Sequence, residues 1–376
     1  LIKLLVVDDS ALIRRLLGRL FGAEGDFELA YARDGLEAIA QLHAVRPDVI
    51  TLDVHMPKLD GLGCLDRIML EHPCPVVMLS SVTAAGADIT LDALQLGAVD
   101  FIEKPGGALS LSLDEWGPLL VDKVRGASRV RPRSSLRLTE RVRLRVGGAE
   151  LAVRGAGVAS APMRRAGAAA RTAAVPGDIA GAPSRIVLVG TSTGGPPALD
   201  ALLGPLPADF PWPIVVAQHM PASFTGALAR RLDRLCALRV VEAAEPMKLA
   251  PGHVYIGRGD ADIVVGPAWS EKADALWAMP VESLPQYRWH PSVDRLVDSA
   301  MAHVAASRLV GVLMTGMGND GAAAMTRLRQ EGGRTIAEAE ETAIVWGMPG
   351  ELVRAGGAEA TRRLEAIAGT LLEWAA

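Results

Sequence analysis

Cysteine is scarce in this 376-residue sequence, and the three that occur, Cys64, Cys74 and Cys236, stand far apart. An odd number without C-x-x-C spacing argues against a disulfide scaffold or a zinc site. Buried, reduced thiols in a cytoplasmic protein are expected. Long apolar runs are also missing. None reaches the ~18 residues that a membrane-spanning helix needs, so an integral membrane protein is not expected. The opening residues, 1–9, lack the charged, then apolar, then small pattern of a secretory signal. The first residue is Leu rather than Met, as in a slightly truncated chain. Positive charge is not in excess: 39 Lys and Arg face 43 Asp and Glu, a formal net charge of −4. No global basic field marks a nucleic-acid binder. What remains is ordinary for a soluble globular chain, 50% hydrophobic and 22% charged. At ~100–200 residues per domain, two domains are expected, each able to bury a core.

Residues 1–120 alternate apolar strands with longer helical patterns. Strands are expected at 2–7, 28–32, 49–52, 76–79 and 99–102, and helices at 10–21, 35–44 and 61–71. In the first helix Leu12, Leu16, Leu17 and Leu20 share one face. This order implies a parallel sheet with helices on both sides. Residues 121–183 read as a linker, rich in Arg, Ala, Gly and Ser. Within it Val142, Leu144 and Val146 alternate with arginines before Gly147-Gly148, a β-hairpin signal. From 184 to 376 the alternation resumes, giving a second α/β domain with a mainly parallel, doubly wound sheet. Strands are expected at 186–189, 214–218, 240–242, 253–256, 263–265 and 309–314, and helices at 197–203, 224–235, 291–307 and 322–331.

Two groups of residues carry chemistry. Asp8 and Asp9 follow the first strand, and Asp53 ends the third. Parallel strands place their C-terminal ends along one edge, so these carboxylates converge. Three acids in one pocket repel unless a cation offsets them, and oxygen-only ligands suit Mg²⁺. Ser80 and Lys104 close the next two strands at the same edge, where a hydroxyl and an ammonium can meet a phosphoryl group on Asp53. Each feature alone is a common loop residue; the combination at four strand ends is specific.

The segments LLVVDDSALIRRLL, DVITLDVHMPKLDGL, PVVMLSS and LGAVDFIEKP resemble a response-regulator receiver domain, of flavodoxin-like (βα)5 fold, over residues 1–120. The resemblance implies that Asp53 is the phospho-acceptor and that Asp8, Asp9, Asp53 and the backbone carbonyl of His55 hold Mg²⁺. It implies that Lys104 contacts the phosphate and that Ser80 and Phe101 form the switch.

In the second domain, the apolar strand at 186–189 runs into Gly190-Thr191-Ser192-Thr193-Gly194-Gly195. A strand, a Gly-rich turn and a helix expose a serine at a helix N-terminus, whose free N–H groups suit an oxyanion. The loop alone leaves a serine nucleophile and an anion cradle equally open, although no phosphate-loop lysine follows. His219 and Asp320 favour the nucleophile. They follow two further strands at the same edge, so Ser192 attacks, His219 moves the proton and Asp320 orients the imidazole. The order Ser, His, Asp differs from that of α/β-hydrolases. His253, His290 and His303 are weaker base candidates, with His303 expected mid-helix on the surface. Asp294 is a rival acid better suited to a helix dipole.

VGTSTGGPPAL, VVAQHMPASFTGALARRL, PGHVYIG, HPSVDRL, LMTGMGNDGAAAM and IAEAEETAIVWGMPGELV resemble the catalytic domain of the chemotaxis protein-glutamate methylesterases, over residues 184–376. The resemblance carries over Ser192, His219 and Asp320 as the triad, and places Met317 N–H, with Thr193, at the oxyanion. It implies hydrolysis of glutamate methyl esters on methyl-accepting chemoreceptors and deamidation of receptor glutamines. It further implies a histidine-kinase phosphodonor, a cytoplasmic location and no cofactor for ester cleavage. The receiver is expected to cover the catalytic face until Asp53 is phosphorylated. Thr191 stands where the family has Ala, and Trp289-His290 where it has His-Arg. The rivals are the same enzyme in a pathway unrelated to swimming, a phospho-regulated docking protein, and a DNA-binding regulator. The last is disfavoured by the absence of a helix-turn-helix signature.

Overall fold

The structure, a computed structural model, describes residues 1–81, 83–104, 113–130, 183–267 and 275–376. The hairpin signal at 142–153 lies outside the described residues. The N-terminal unit runs β1 (Ile2–Val7), α1 (Ala11–Glu24), β2 (Phe27–Ala32), α2 (Gly35–Val45), β3 (Val49–Asp53), α3 (Gly61–Glu71), β4 (Val76–Ser80), α4 (Ala84–Leu96), β5 (Asp100–Glu103) and α5 (Leu113–Ala127). Its sheet has the order β2-β1-β3-β4-β5, parallel throughout, which is the expected flavodoxin-like arrangement. β3 and β4 are buried at every position, as strands covered on both faces must be. Ser10, Asp34, Asp60 and Thr83 each cap a helix by accepting a backbone N–H three residues on. Gly61 lets α3 start hard against β3: a β-carbon there would lie 2.2 Å from the Asp53 carbonyl oxygen.

Two expectations for this unit change. Leu12 is 59% exposed, and the buried face of α1 centres on Leu17 and Phe21. The chain also stays helical past residue 120, because α5 continues to Ala127 and packs Leu120, Val121 and Val124 under the sheet.

The C-terminal unit runs β6 (Ile186–Thr191), α6 (Gly195–Leu203), β7 (Ile214–Gln218), α7 (Ala222–Leu235), β8 (Arg239–Ala243), β9 (Met247–Lys248), β10 (His253–Gly257), β11 (Ala261–Pro267), β12 (Leu276–Glu282), α8 (Val293–His303), β13 (Leu309–Leu313), α9 (Ala322–Gln330), β14 (Arg334–Glu338), α10 (Met348–Arg354), β15 (Ala360–Arg362) and α11 (Leu364–Ala375). Seven strands form a parallel sheet, β15-β14-β13-β6-β7-β10-β8, and β11-β12-β9 form a separate antiparallel sheet that the sequence reading did not anticipate. Alternation along β6 makes the sheet doubly wound. Val187 and Val189 face α6, α7 and α11, while Ile186 and Leu188 face α8, α9 and α10. Strand order reverses between β6 and β13, so a crevice opens at their C-terminal ends. The helix expected at 291–307 is shorter. Ser292 caps it, and it ends at His303, which is therefore terminal rather than mid-helix.

The two units meet through α4 and β5. Buried side chains of α4 join the apolar cluster that contains α6 and α7. Phe101 packs on Phe224 with ring centroids 4.3 Å apart. Gln95 Nε2 donates to Asp200 at 2.6 Å, Ser223 Oγ to Glu103 at 3.1 Å, and Arg288 to Asp122 at 2.5 Å.

Candidate active site and candidate phosphorylation site

Sheet register brings the second site together. Thr191 pairs with Gln218 and Gly190 with Leu313, so residues 192, 219 and 315 leave the sheet at one edge. Backbone bonds tie these exits: Ser192 N–H to Thr315 O and His219 N–H to Thr191 O, both at 3.0 Å. Gln218 fastens them again. It accepts the Thr191 hydroxyl at 2.6 Å and donates to the Ser192 and His219 carbonyls, each at 3.0 Å. Threonine at 191 thus gains a partner that alanine would lack. Gly194 turns the chain into α6 at φ 77°, a conformation that favours glycine.

His219 Nε2 lies 2.8 Å from Asp320 Oδ2, and both groups are buried. Asp320 is held in turn by the Ser292 hydroxyl at 3.1 Å and by the N–H groups of Val293 at 2.7 Å and Asp294 at 3.0 Å. Burial pushes the Asp320 carboxyl up. The hydrogen bond and charge of His219, with those two N–H groups, outweigh it, and the net shift is downward. With Asp320 ionised, Nε2 carries the hydrogen and Nδ1 is the basic nitrogen. Nδ1 is buried and has no hydrogen-bond partner among the described residues. Ser192 and His219 line one cleft of about 670 Å³, with Trp289 and Met317. No hydrogen bond joins the Ser192 hydroxyl to His219 in this conformation among the described residues. The N–H groups of Thr193 and Met317 donate to no described acceptor, as oxyanion donors require.

Of the other candidates, His253 and His303 do not line this cleft, while His290 does. His253 bonds to its own loop at Pro251 O, and His303 is exposed. His290 Nδ1 contacts Asp262 at 2.9 Å. Asp294 accepts Ala324 N–H at 2.9 Å, serving the start of α9 rather than its own helix. Asp262, fully buried, is a residue the sequence reading missed. It also takes Ser292 N–H and the Arg295 guanidinium, each at 2.6 Å, and so fixes the loop that holds Asp320. In the sequence it looks like one polar position in a strand, with no spacing signal.

The cleft is walled on its other side by the N-terminal unit, through Phe101, Leu119 and Lys123. Asp100, buried in β5, accepts the Thr193 hydroxyl and pairs with Lys123 Nζ at 2.8 Å. The N-terminal unit thus grips the residue beside Ser192.

At the edge of the first sheet, one carboxylate oxygen each from Asp8, Asp9 and Asp53 lies within 4.8 Å of the others. Lys104 Nζ sits 2.8 Å from both Asp8 and Asp53. Burial pushes the Asp53 carboxyl up against the pull of Lys104, and the charge of Asp8 adds to the rise. Arg14 donates to the Asp8 and Asp9 carbonyls at 2.6 and 3.0 Å, fixing the acidic turn. His55 is exposed and its N–H reaches Asp53 Oδ1 at 3.4 Å. No hydrogen bond joins Ser80 to Asp53 among the described residues. The Ser80 hydroxyl accepts from Thr90 at 2.8 Å and reaches Gly86 O at 3.4 Å. An all-oxygen acidic set of this kind fits Mg²⁺.

Comparison with known proteins agrees with this division. Residues 187–371 match the CheB methylesterase family model, and residues 4–112 match that of the response regulator receiver domain. A Rhodopseudomonas palustris protein named protein-glutamate methylesterase/protein-glutamine glutaminase 2 is 56% identical over 374 residues, covering 100% of this chain and 98% of that one. A Rhodospirillum rubrum relative, named protein-glutamate methylesterase/protein-glutamine glutaminase 3, is 48% identical over 99% of this chain and 96% of its own length. The crystal structure of the Thermotoga maritima CheB methylesterase catalytic domain is 37% identical and covers 51% of this chain and 98% of that chain, with a TM-score of 0.48. A full-length match at such identity, with both domain models in order, makes this chain a member of the receiver-linked CheB methylesterase family.

Proposed function

We propose that the chain is a phosphorylation-controlled serine esterase that hydrolyses glutamate methyl esters on chemoreceptors, and glutamine amides with the same groups. One observation carries this reading: a buried His219–Asp320 pair leaves imidazole Nδ1 without a hydrogen-bond partner among the described residues, and His219 and Ser192 line the same cleft. Ser192 Oγ attacks the γ-carbonyl while Nδ1 takes its proton. The oxyanion that forms faces Met317 and Thr193 N–H. Collapse expels methanol, or ammonia from an amide, with the proton returned by His219. Water then attacks the acyl-enzyme by the same proton relay and frees the glutamate carboxylate. Unliganded sites often hold such hydrogen bonds loosely until substrate binds, which accommodates the open Ser192 hydroxyl.

In this reading Asp53 receives phosphate from a histidine kinase, and Asp8, Asp9, Asp53 and the His55 carbonyl hold Mg²⁺, which would offset the negative charge of the phosphoryl group. Lys104 would transfer from the carboxylates to the phosphate, and Ser80 would leave Thr90 for it. Phe101, packed on Phe224, would carry that change to the interface. The receiver extends through Val130, a linker follows, and the catalytic unit begins near Ser184. Among the described residues no helix is long and apolar enough to cross a membrane, in keeping with a cytoplasmic enzyme acting on the receptors' cytoplasmic helices.

The test is methanol release from methylated receptor membranes with and without a small-molecule phosphodonor. Ser192→Ala should abolish release and leave phosphorylation intact. Asp53→Asn should give low activity that the phosphodonor does not raise. Hydrolysis by the Ser192→Ala variant at the wild-type rate would place the nucleophile elsewhere.

A further inference from the structure

The indole of Trp289 lies against the imidazole of His219, with ring centroids 5.7 Å apart and planes 14° from parallel. We propose that Trp289 is a positioning residue: its aromatic face fixes the plane of His219, and with it the direction of Nδ1. The inference rests on the esterase reading of the site.

A histidine side chain anchored at one nitrogen can still swing about that bond. Asp320 holds Nε2, and Nδ1 has no partner among the described residues. The approach to Ser192 therefore needs a second constraint, and a flat surface on one imidazole face supplies it. Stacking between aromatic rings is favourable beyond the area it buries, and so favours one ring orientation. Trp289 is itself braced. The Arg288 guanidinium sits 5.1 Å from the indole centroid, and the following residues are pinned by His290 and Ser292 to the buried carboxylate of Asp262. The same loop continues into Ser292, Val293 and Asp294, whose groups hold Asp320. Residues 289–294 thus set both partners of the proton relay, one by a ring face and one by hydrogen bonds. Misplacing a proton acceptor by an ångström can lower a rate about 100-fold, so a lost ring constraint shows in kcat before binding.

The test compares Trp289→Phe, Trp289→Leu and Trp289→Ala in the full chain, activated by a phosphodonor and assayed on methylated receptors beside Ser192→Ala. The Phe variant keeps a ring face and Leu keeps apolar bulk without one. Kinetics are read as kcat and KM separately, with thermal melts to check folding. Expected is a kcat within about threefold of wild type for Phe, and a loss of about tenfold or more for Leu and Ala, with KM changed less than about threefold. Ser192-dependent hydrolysis in which the Leu or Ala variant keeps more than half of kcat would overturn the inference alone. So would a loss confined to KM, or a Phe variant as slow as Ala. Hydrolysis that does not depend on Ser192 would overturn the esterase reading itself, and this inference with it.

Discussion

His219 and Asp320, 101 residues apart in sequence, meet through Nε2 and Oδ2 at 2.8 Å in a buried setting. That contact decides which imidazole nitrogen is basic, because an ionised carboxylate accepts the Nε2 hydrogen. Asp320→Asn presents a neutral amide and favours the wrong tautomer. The expected outcome is a fall in kcat of roughly 10²–10⁴-fold with little change in KM. Methanol release across substrate concentrations measures both. A variant within tenfold of wild type would mean that Asp320 serves the fold and not the relay.

Lys104 bridges two buried carboxylates, Asp8 and Asp53. Its own ammonium is held charged: burial lowers its pKa, and the two carboxylates more than reverse this. Lys104→Ala leaves the acids facing each other without a cation. Loss of one partner from a buried pair costs about 3 kcal/mol or more. The variant is expected to melt lower than wild type without divalent ions, and to gain more than wild type from millimolar Mg²⁺. Thermal melts with and without Mg²⁺ check this, and equal gains would argue against a metal at the acidic cluster.

Much of this was legible in the sequence, for reasons particular residues show. β1 and α3 fall where expected because apolar runs are bounded by Asp8-Asp9 and by Asp60-Gly61. The strand-end motifs fell on one edge because parallel order dictates it. α5 was missed because Gly117-Pro118 interrupts its helical pattern, although the apolar face of Leu120, Val121 and Val124 survives. β14 was missed because Arg334–Glu338 carries little apolar periodicity and gains its place by pairing with β13. Asp262 was not legible as a site residue, and Trp289 stood out only as a departure from the family pattern beside Pro291-Ser292. One acts from a strand of the unforeseen antiparallel sheet and the other through ring geometry, and neither leaves a spacing pattern.

Asp100 grips Thr193 beside the nucleophile and is itself held by Lys123. The Thr193 hydroxyl and its backbone N–H belong to the loop that carries Ser192, the proposed nucleophile, so this contact ties receiver position to the proposed active site. Asp100→Ala removes the grip and leaves every catalytic side chain in place. Coupling between sites is typically 1–3 kcal/mol, so basal esterase activity should rise roughly 5- to 150-fold, and stimulation by a phosphodonor should shrink in proportion. Initial rates with and without the phosphodonor give both quantities. Unchanged basal activity would show that the apolar packing of Phe101 on Phe224 holds the closed state by itself.

Asp294 offers a stability test whose sign follows from burial. Its carboxylate is pushed up from 3.8 to about 6, first by burial and further by the nearby charge of Asp320, against the N–H groups of Ala324 and Gly321. A raised carboxyl pKa means that the folded protein holds this proton more tightly than the unfolded chain. Between about pH 4 and pH 6 the native state therefore carries the extra proton, and stability falls as pH rises through that window. Above it the folded protein bears a poorly solvated charge. Asp294→Asn keeps a carbonyl to accept Ala324 N–H and cannot ionise. The Asn variant should gain on wild type by about 1–3 kcal/mol between pH 4 and pH 8, a shift of one to two pKa units in energy terms. Urea unfolding of both proteins at the two pH values measures the difference. A gap that stays constant, or closes toward pH 8, would show that the Ala324 and Gly321 N–H groups stabilise the charged carboxylate more than burial penalises it.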